Sequence, residues 1–133
     1  MNKRFIITPK IKAGNVCLKD SRDEIRRTLG SFKEFKKNRF SRNTTDDFEI
    51  CHVYYDDNNC CEAIEFFNDI ELIFNGVNLF EEKMDNIIEL LLKTDKKIEK
   101  EKNMITSKAL GLSIYFLDRE PKSILVFSDN YYS

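Results

Sequence analysis

The sequence has few of the residues from which catalytic and metal sites are usually built. Its 133 residues include one histidine, four glycines and no tryptophan. The glycines are scattered, so the chain has no glycine-rich loop of the kind that cradles a phosphate group. No stretch approaches the roughly 20 consecutive apolar residues that a membrane span needs. The basic start MNKRFIITPKIKAGN lacks the apolar run of a secretory signal, and we therefore expect a cytoplasmic protein.

Phenylalanine and charged residues are abundant instead. Eleven phenylalanines and a hydrophobic fraction of 41% are enough for a packed core, and 34% charged residues indicate a well-solvated surface. At this length we expect a single domain spanning residues 1–133, large enough to fold without disulfides or metals. The four cysteines do not have the spacing of a secreted disulfide framework, so we interpret them as reduced thiols.

The net charge of −1 conceals a segregation of charge along the chain. Residues 1–43 contain 13 basic and four acidic residues, whereas residues 44–90 contain 13 acids and one base, Lys83. Two interpretations stay open. The two segments can neutralise each other in the fold, or the acidic segment can form an exposed surface that attracts a basic partner.

Two helices are predicted. Ser21 and Glu24 have the spacing of a capping box, in which each side chain caps the backbone N–H of the other, and Gly30 is placed to end that helix. A longer helix is predicted over 79–94, capped by Asn78. Its apolar face repeats at the 3.6-residue period of a helix and consists of Phe80, Met84, Ile87, Ile88 and Leu91.

The rest of the chain predicts strands, which gives an α+β fold with two helices on one face of a largely antiparallel sheet of about five to seven strands. Asn75-Gly76, between the apolar runs ELIF and VNLF, predicts a type I′ hairpin turn. Segment 31–48 is predicted to be an irregular loop pinned by its phenylalanines, with loop chemistry at 43–47, and 93–103 is predicted to be a frayed helix end or a solvated loop. The other predicted strands are 5–7, 15–18, 48–56, 60–67, 112–117 and 123–127.

The run ICHVYYDDNNCCEAIEF, residues 50–66, holds the histidine and three of the four cysteines. Neighbouring residues of a strand point to opposite faces, so the adjacent pairs Cys51-His52 and Cys60-Cys61 cannot close a tetrahedral zinc site without breaking both strands. We expect no metal and no cofactor. A four-residue turn at 56–59 would place His52 and Cys61 diagonally on one face, which leaves a small Cys/His hydrolase as an alternative. No complete catalytic constellation accompanies them, and we expect structural thiols rather than an enzyme.

The basic front segment also raises the question of nucleic-acid binding. Phe32, Phe35 and Phe40 alternate with lysines and arginines, a pattern that can combine base stacking with phosphate contacts. The isoelectric point of about 5.9 is far below that of typical nucleic-acid-binding domains. We therefore expect neither a nucleic acid nor a membrane as partner.

Two stretches together resemble a known family. NVCLKDSRDEIRRTLGSF is similar to a strand–loop–helix opening, and HVYYDDNNCCEAIEFF with IELIFNGVNLFEE is similar to the meander and following helix, of immunity proteins of polymorphic and contact-dependent growth-inhibition toxins. The resemblance covers about residues 10–127. The sequence departs from the usual motif at Lys19, where glycine is common.

The resemblance implies a protein without catalytic residues that binds the C-terminal domain of a cognate toxin in the cytosol and blocks it. Many such toxins are nucleases with basic clefts, which an acidic surface would complement. An adaptor that uses the same acidic surface against another basic protein is the main alternative. The residues predicted to contact the partner are Asp46, Asp47, Glu49, Asp56, Asp57, Glu62 and Glu65, with Tyr54 or Tyr55 as aromatic anchor.

Overall fold

A computed structural model of the chain describes residues 3–129 and 131. These residues form two α-helices and two β-sheets, which is consistent with the expected α+β class. The expected five to seven strands are too few, because thirteen are present. In chain order the strands are β1 Arg4–Thr8, β2 Lys12–Ala13, β3 Val16–Cys17, β4 Lys33–Phe35, β5 Thr45–Asp47, β6 Cys51–Tyr55, β7 Cys61–Phe67, β8 Glu71–Phe74, β9 Val77–Asn78, β10 Glu99–Lys100, β11 Met104–Ser107, β12 Leu112–Leu117 and β13 Glu120–Phe127.

The larger sheet contains eight strands in the spatial order β10-β11-β12-β13-β7-β6-β5-β4, each antiparallel to its neighbours. The smaller sheet has the order β3-β2-β1-β8-β9. Its strands are antiparallel except for β1 and β8, which run parallel. The fold is therefore largely antiparallel, as expected from the hairpin-rich sequence.

The first helix, α1, spans Arg22–Leu29 and confirms the predicted boundaries. Ser21 Oγ accepts a hydrogen bond from the Glu24 N–H at 3.3 Å, so the serine caps the helix. The Glu24 carboxylate is bound by Arg27 within the helix. Gly30 ends α1 with a φ of 89°, a conformation that glycine adopts without a steric penalty, and its N–H donates to the Arg26 carbonyl.

Lys19 has a φ of 76°, a left-handed conformation that glycine adopts more readily than lysine. A left-handed conformation costs an L-residue about 1–2 kcal/mol, and glycine loses about 0.5–1 kcal/mol more entropy on folding. We expect Lys19→Gly to raise the free energy of unfolding by up to about 1 kcal/mol. Urea titration measures this change, and Lys12→Gly in β2 is the control, which should lower stability because glycine weakens a strand.

The second predicted helix is not continuous. Leu79–Glu81 forms a short 3₁₀ turn, and the α-helix α2 spans Met84–Leu92. Asn78 caps the 3₁₀ turn by accepting the Phe80 N–H at 3.3 Å, and the same side-chain oxygen accepts the Leu72 N–H at 3.1 Å. Glu82 and Lys83 then have an extended backbone, and the Met84 N–H donates to the Arg119 carbonyl at 3.1 Å, so α2 begins only at Met84.

The expected irregular loop over 31–48 is wrong in part, because it contains strands β4 and β5, and the strand expected over 48–56 begins only at Cys51. Glu49 has a φ of 72°, and the Phe48 N–H donates to the Cys51 carbonyl, so residues 48–50 form a tight turn between β5 and β6. This turn releases Thr45–Asp47 to pair with β4. Non-local pairing thus produces β4, although its own residues have little strand character.

The charged segment after α2 contributes the edge strand β10, and β11 was not predicted. Both are held by pairing along the larger sheet. The expected turn over 118–121 is tighter than predicted, because Asp118 and Arg119 both have positive φ and close a two-residue hairpin. Pro121 consequently lies inside β13. The predicted Asn75-Gly76 turn is confirmed, with φ of 49° and 78°.

One face of the larger sheet is buried beneath the smaller sheet and the two helices. The Phe5 ring of β1 lies 4.9 Å from the Phe66 ring of β7, and Ile25, Ile87 and Leu91 of the helices belong to the same cluster of buried side chains. We call this the inner face. The opposite, outer face carries half-exposed polar and aromatic side chains from the middle of the chain, and it is where the predicted contact residues must be sought.

Candidate functional site

The β6–β7 hairpin places His52 and Cys61 on opposite faces of the sheet. Cys61 pairs directly with Tyr55, and a register irregularity near Tyr54 shifts the pairing by one residue relative to a simple four-residue turn. A shift of one residue exchanges the two faces of a strand. Cys61 is therefore buried on the inner face, whereas His52 lies on the outer face between the Phe35 and Phe67 rings. The predicted diagonal Cys–His pair is wrong.

The buried thiols have the environment of core residues. Burial raises the pKa of Cys51 to about 12, and burial also raises the pKa of Cys61. A thiol with a raised pKa carries little thiolate at neutral pH and is a poor nucleophile. Over residues 3–129 and 131, no group of three or more His, Cys, Asp and Glu side chains has an arrangement that could hold a metal ion.

Asp46 is buried on the inner face, which corrects its prediction as a contact residue. Its carboxylate binds Arg26 of α1 through two hydrogen bonds, to Nε at 2.7 Å and to Nη2 at 2.8 Å. The buried Tyr55 donates its hydroxyl to the same carboxylate at 2.9 Å. The Asp46 carboxylate raises the pKa of Arg26, and burial followed by this hydrogen bond raises the pKa of Tyr55. Neither Asp46 nor Tyr55 is available to a partner.

A second arginine of α1 extends this network towards the loop before β5. Arg22 donates to the Thr44 hydroxyl at 2.9 Å and to the Thr44 carbonyl at 2.7 Å, and its guanidinium lies 4.1 Å from the centre of the Tyr55 ring. Glu34 of β4 pairs with both Arg22 and Arg26. Part of the charge segregation is therefore neutralised inside the fold, as the first of the two interpretations predicted.

Three of the remaining acids, Asp56, Asp57 and Glu62, line an open cleft of about 350 Å³ at the β6–β7 turn, which we call the hairpin cleft. Its walls include Lys37, Arg42, Tyr54, Asp57, Glu62 and Tyr131. Asp57 pairs with Arg42 at 3.2 Å, but among the described residues the Glu62 carboxylate has neither a hydrogen bond nor an ion pair. Burial, followed by the charges of Asp56 and Asp57, raises the pKa of Glu62. Glu62 is thus a half-buried carboxylate that would be stabilised by a cation.

The other predicted contact residues vary in their availability. Asp56 accepts hydrogen bonds from the N–H groups of Asn58 and Cys60 and shapes the turn. Asp47 accepts the Glu49 N–H and lies 3.5 Å from His52 Nε2, while Glu49 itself is exposed at the next turn. Tyr54 donates its hydroxyl to Glu65 on the outer face. Burial, with this hydrogen bond, raises the pKa of Tyr54.

The segment between β4 and β5 presents an exposed aromatic side chain that the sequence interpretation placed against the core. Phe40 is 79% exposed, the highest value among the large hydrophobic side chains described as exposed. It lies in KKNRFSR, residues 36–42, which contains four cations and no acid. Periodicity could not indicate this exposure, because the segment has none. The turn-forming Asn38 within a run of cations was the available signal.

The raised pKa of Glu62 predicts a pH-dependent effect on stability. A carboxyl group whose folded pKa exceeds its ordinary value of 4.5 destabilises the fold once it has lost its proton. The penalty is absent below the ordinary pKa and grows as the pH rises through the folded pKa. We expect Glu62→Gln to be more stable than the parent at neutral pH and equally stable at about pH 3 in thermal unfolding.

A second substitution tests the cause of that effect. Asp57→Asn removes one of the charges that raise the Glu62 pKa, so the benefit of Glu62→Gln should shrink in its presence. A benefit of Glu62→Gln that is the same at every pH would contradict the electrostatic explanation.

No protein-family model matches this chain, and neither a curated protein nor a solved structure matches it significantly. Within the described part of the chain, neither helix has the length and apolar character of a membrane crossing. The candidate site therefore rests on its own geometry: an open cleft at the β6–β7 turn, a half-buried acid without a partner among the described residues, and a basic loop beside it.

Proposed function

We propose that this protein is an immunity protein that binds and neutralises a basic toxin domain through the hairpin cleft. The observation that carries the proposal is Glu62, a half-buried carboxylate with a raised pKa and no cationic partner among the described residues. Two further acids, Asp56 and Asp57, raise the local negative potential. A lysine or arginine of a partner would remove an unfavourable charge arrangement in the free protein and gain an ion pair.

The contact surface of this proposal is narrower than the predicted set of residues. It consists of Asp57 and Glu62 as charged groups and Tyr54 as the aromatic group beside them. Tyrosine is enriched among residues that dominate binding energy, and the half-exposed Tyr54 ring lines the cleft. Glu65 accepts the Tyr54 hydroxyl beside this centre and would contribute to the rim, whereas Asp47 and Glu49 lie near the β5–β6 turn at the other end of β6.

Our choice of a toxin as the basic partner rests on the resemblance of the helix-opening and meander motifs to immunity proteins. An acidic surface that imitates a phosphate backbone can cover the cleft of a nuclease and speed association by electrostatic steering. The proposed chemistry is binding alone, with no bond made or broken by this chain. The adaptor alternative uses the same residues against a basic protein other than a toxin.

The test is kinetic binding to the toxin domain encoded beside the gene, combined with rescue of growth. We expect Asp57→Lys with Glu62→Lys to reduce the association rate by about tenfold or more and to abolish most of its salt dependence, since steering acts on encounter. Asp56 is left unchanged because its carboxylate holds the turn.

The control is Glu99→Lys with Glu101→Lys, the same charge change at exposed positions in and beside edge strand β10. This pair should leave the association rate within about twofold of the parent, because charges beyond a Debye length of about 8 Å are largely screened. If both double variants bind alike, the cleft is not the contact. If the parent neither binds nor protects, the immunity proposal fails and the adaptor alternative is favoured.

A further inference from the structure

The loop of residues 36–42 lies directly beside the hairpin cleft and is fixed to it. Arg42 pairs with Asp57 at 3.2 Å, and the Lys37 ammonium lies 4.7 Å from the centre of the Tyr54 ring. At the base of the loop, Asn43 donates to the Asp56 carbonyl and to Asn59 Oδ1 at 3.0 and 2.7 Å. The loop and the acidic turn therefore form one continuous surface that carries both signs of charge.

The tip of this loop is a defined turn rather than an unstructured excursion. Asn38 Oδ1 accepts the Phe40 N–H at 2.8 Å, and the Asn38 carbonyl accepts the Ser41 N–H at 3.1 Å. Ser41 Oγ in turn accepts the Asn38 N–H at 3.2 Å. These three bonds order the turn that carries the exposed Phe40 ring. The Arg39 guanidinium lies over this ring, with its Cζ 4.9 Å from the ring centre. Because the turn is already ordered, an aromatic side chain at its tip loses little conformational entropy when it binds a partner.

We infer that Phe40 is the anchor of the partner contact, and that the partner presents to it an apolar pocket rimmed by carboxylates. This inference rests on the proposed function, because it assumes that the partner of the hairpin cleft is a protein. Aromatic and arginine side chains dominate the energetic centres of protein interfaces, and the turn offers Arg39, Phe40 and Arg42 together. The lysines and arginines around the Phe40 ring would be complemented by acidic groups on the partner.

Charge complementarity favours a protein over a polyanion. A nucleic acid or an anionic bilayer resting on the loop would bring its phosphates against Asp56, Asp57 and Glu62, which lie at the base of the same loop. A protein surface can place acids opposite the loop and bases opposite the cleft. Proteins that bind single-stranded nucleic acid usually stack successive bases on several aromatic rings, whereas one ring is exposed at the tip of this loop.

The test compares Phe40→Ala with Ile11→Ala in binding to the toxin domain encoded beside the gene. Ile11 is a matched control, because it is 57% exposed and lies in the turn between β1 and β2 of the smaller sheet. We expect Phe40→Ala to raise the dissociation constant by about 30-fold, chiefly through faster dissociation, with unchanged circular dichroism. Ile11→Ala should bind like the parent. Lys36→Glu should speed dissociation of the complex, because at close range its carboxylate opposes the acidic rim of the pocket.

Two anionic probes complete the experiment, a single-stranded oligothymidine and vesicles that contain phosphatidylserine. If the parent binds the toxin and Phe40→Ala binds it equally well, the inference is overturned while the proposed function stands. If Phe40→Ala loses binding to either anionic probe but keeps binding to the toxin, the loop is assigned to a polyanion and the inference is also overturned. If the parent binds no toxin, the proposed function fails and the inference fails with it.

Discussion

Asp46→Ala is expected to lower the free energy of unfolding by about 3 kcal/mol, the lower end of the range for a broken buried ion pair. The substitution leaves Arg26 without its bidentate partner and deprives the buried Tyr55 hydroxyl of its acceptor. The lower end applies because Arg26 keeps Glu34, at 3.2 Å, as a second acidic partner. Denaturant unfolding followed by circular dichroism measures the change.

The matched control for this prediction is Asp57→Ala, which removes the same carboxylate from an exposed ion pair. Exposed ion pairs contribute little to the free energy of unfolding, so Asp57→Ala should change it by no more than about 0.5 kcal/mol. A double variant with Arg26→Ala should lose less than the sum of the single losses, because the two residues act as one unit. Unchanged stability of Asp46→Ala together with weakened partner binding would instead restore Asp46 as a contact residue.

Leu91→Ala should cost about 2–5 kcal/mol, through lost burial of the side chain and the cavity left behind. Leu91 is fully buried, and together with Ile87 it fixes α2 to the inner face of the larger sheet. The helix begins without a side-chain cap at Lys83, so packing of this apolar stripe is its main stabilisation. Chemical denaturation measures the loss directly.

Leu92→Ala provides the comparison within the same helix. Leu92 is half-buried, so its truncation removes less buried apolar area. We expect it to lower the free energy of unfolding by about 1 kcal/mol or less. Equal losses at the two positions would show that the buried face of α2 is wrongly assigned. A loss below about 0.5 kcal/mol at Leu91 would place it in the range of surface substitutions and contradict the packing directly.

Elements specified by short-range chemistry could be predicted from the sequence. Helix α1 has its cap at Ser21 and its end at Gly30, and the Asn75-Gly76 turn has the positive φ angles that those residue types favour. Ile87 and Leu91 are buried because the helical period places them on one side. In each case the information lies within a few residues of chain, where backbone conformation and side-chain identity determine the outcome.

Elements that depend on distant partners could not be predicted in this way. Strands β4, β10 and β11 are formed by pairing along the sheet, although their own sequences are polar or short. The second helix begins late, at Met84, whose N–H bonds the Arg119 carbonyl of the turn between β12 and β13. Hydrogen bonds between chain segments can therefore override local propensity, which explains why the number of strands was underestimated.

The charge segregation, the acidic middle segment and the alternation that separates Tyr54 from Tyr55 can all be read from the order of the residues. Which of those charges remain for a partner depends on contacts between distant segments of the folded chain. Asp46 is one position from Asp47 along the strand, but it faces the inner side, where Arg26 of a distant helix neutralises it. Glu62 is left without an ion pair among the described residues, because the two cations of the cleft walls contact other groups: Arg42 pairs with Asp57, and Lys37 lies over the Tyr54 ring. The reason is physical: a charge is free or neutralised according to the groups within a few ångströms, and in a folded chain those groups come from distant parts of the sequence.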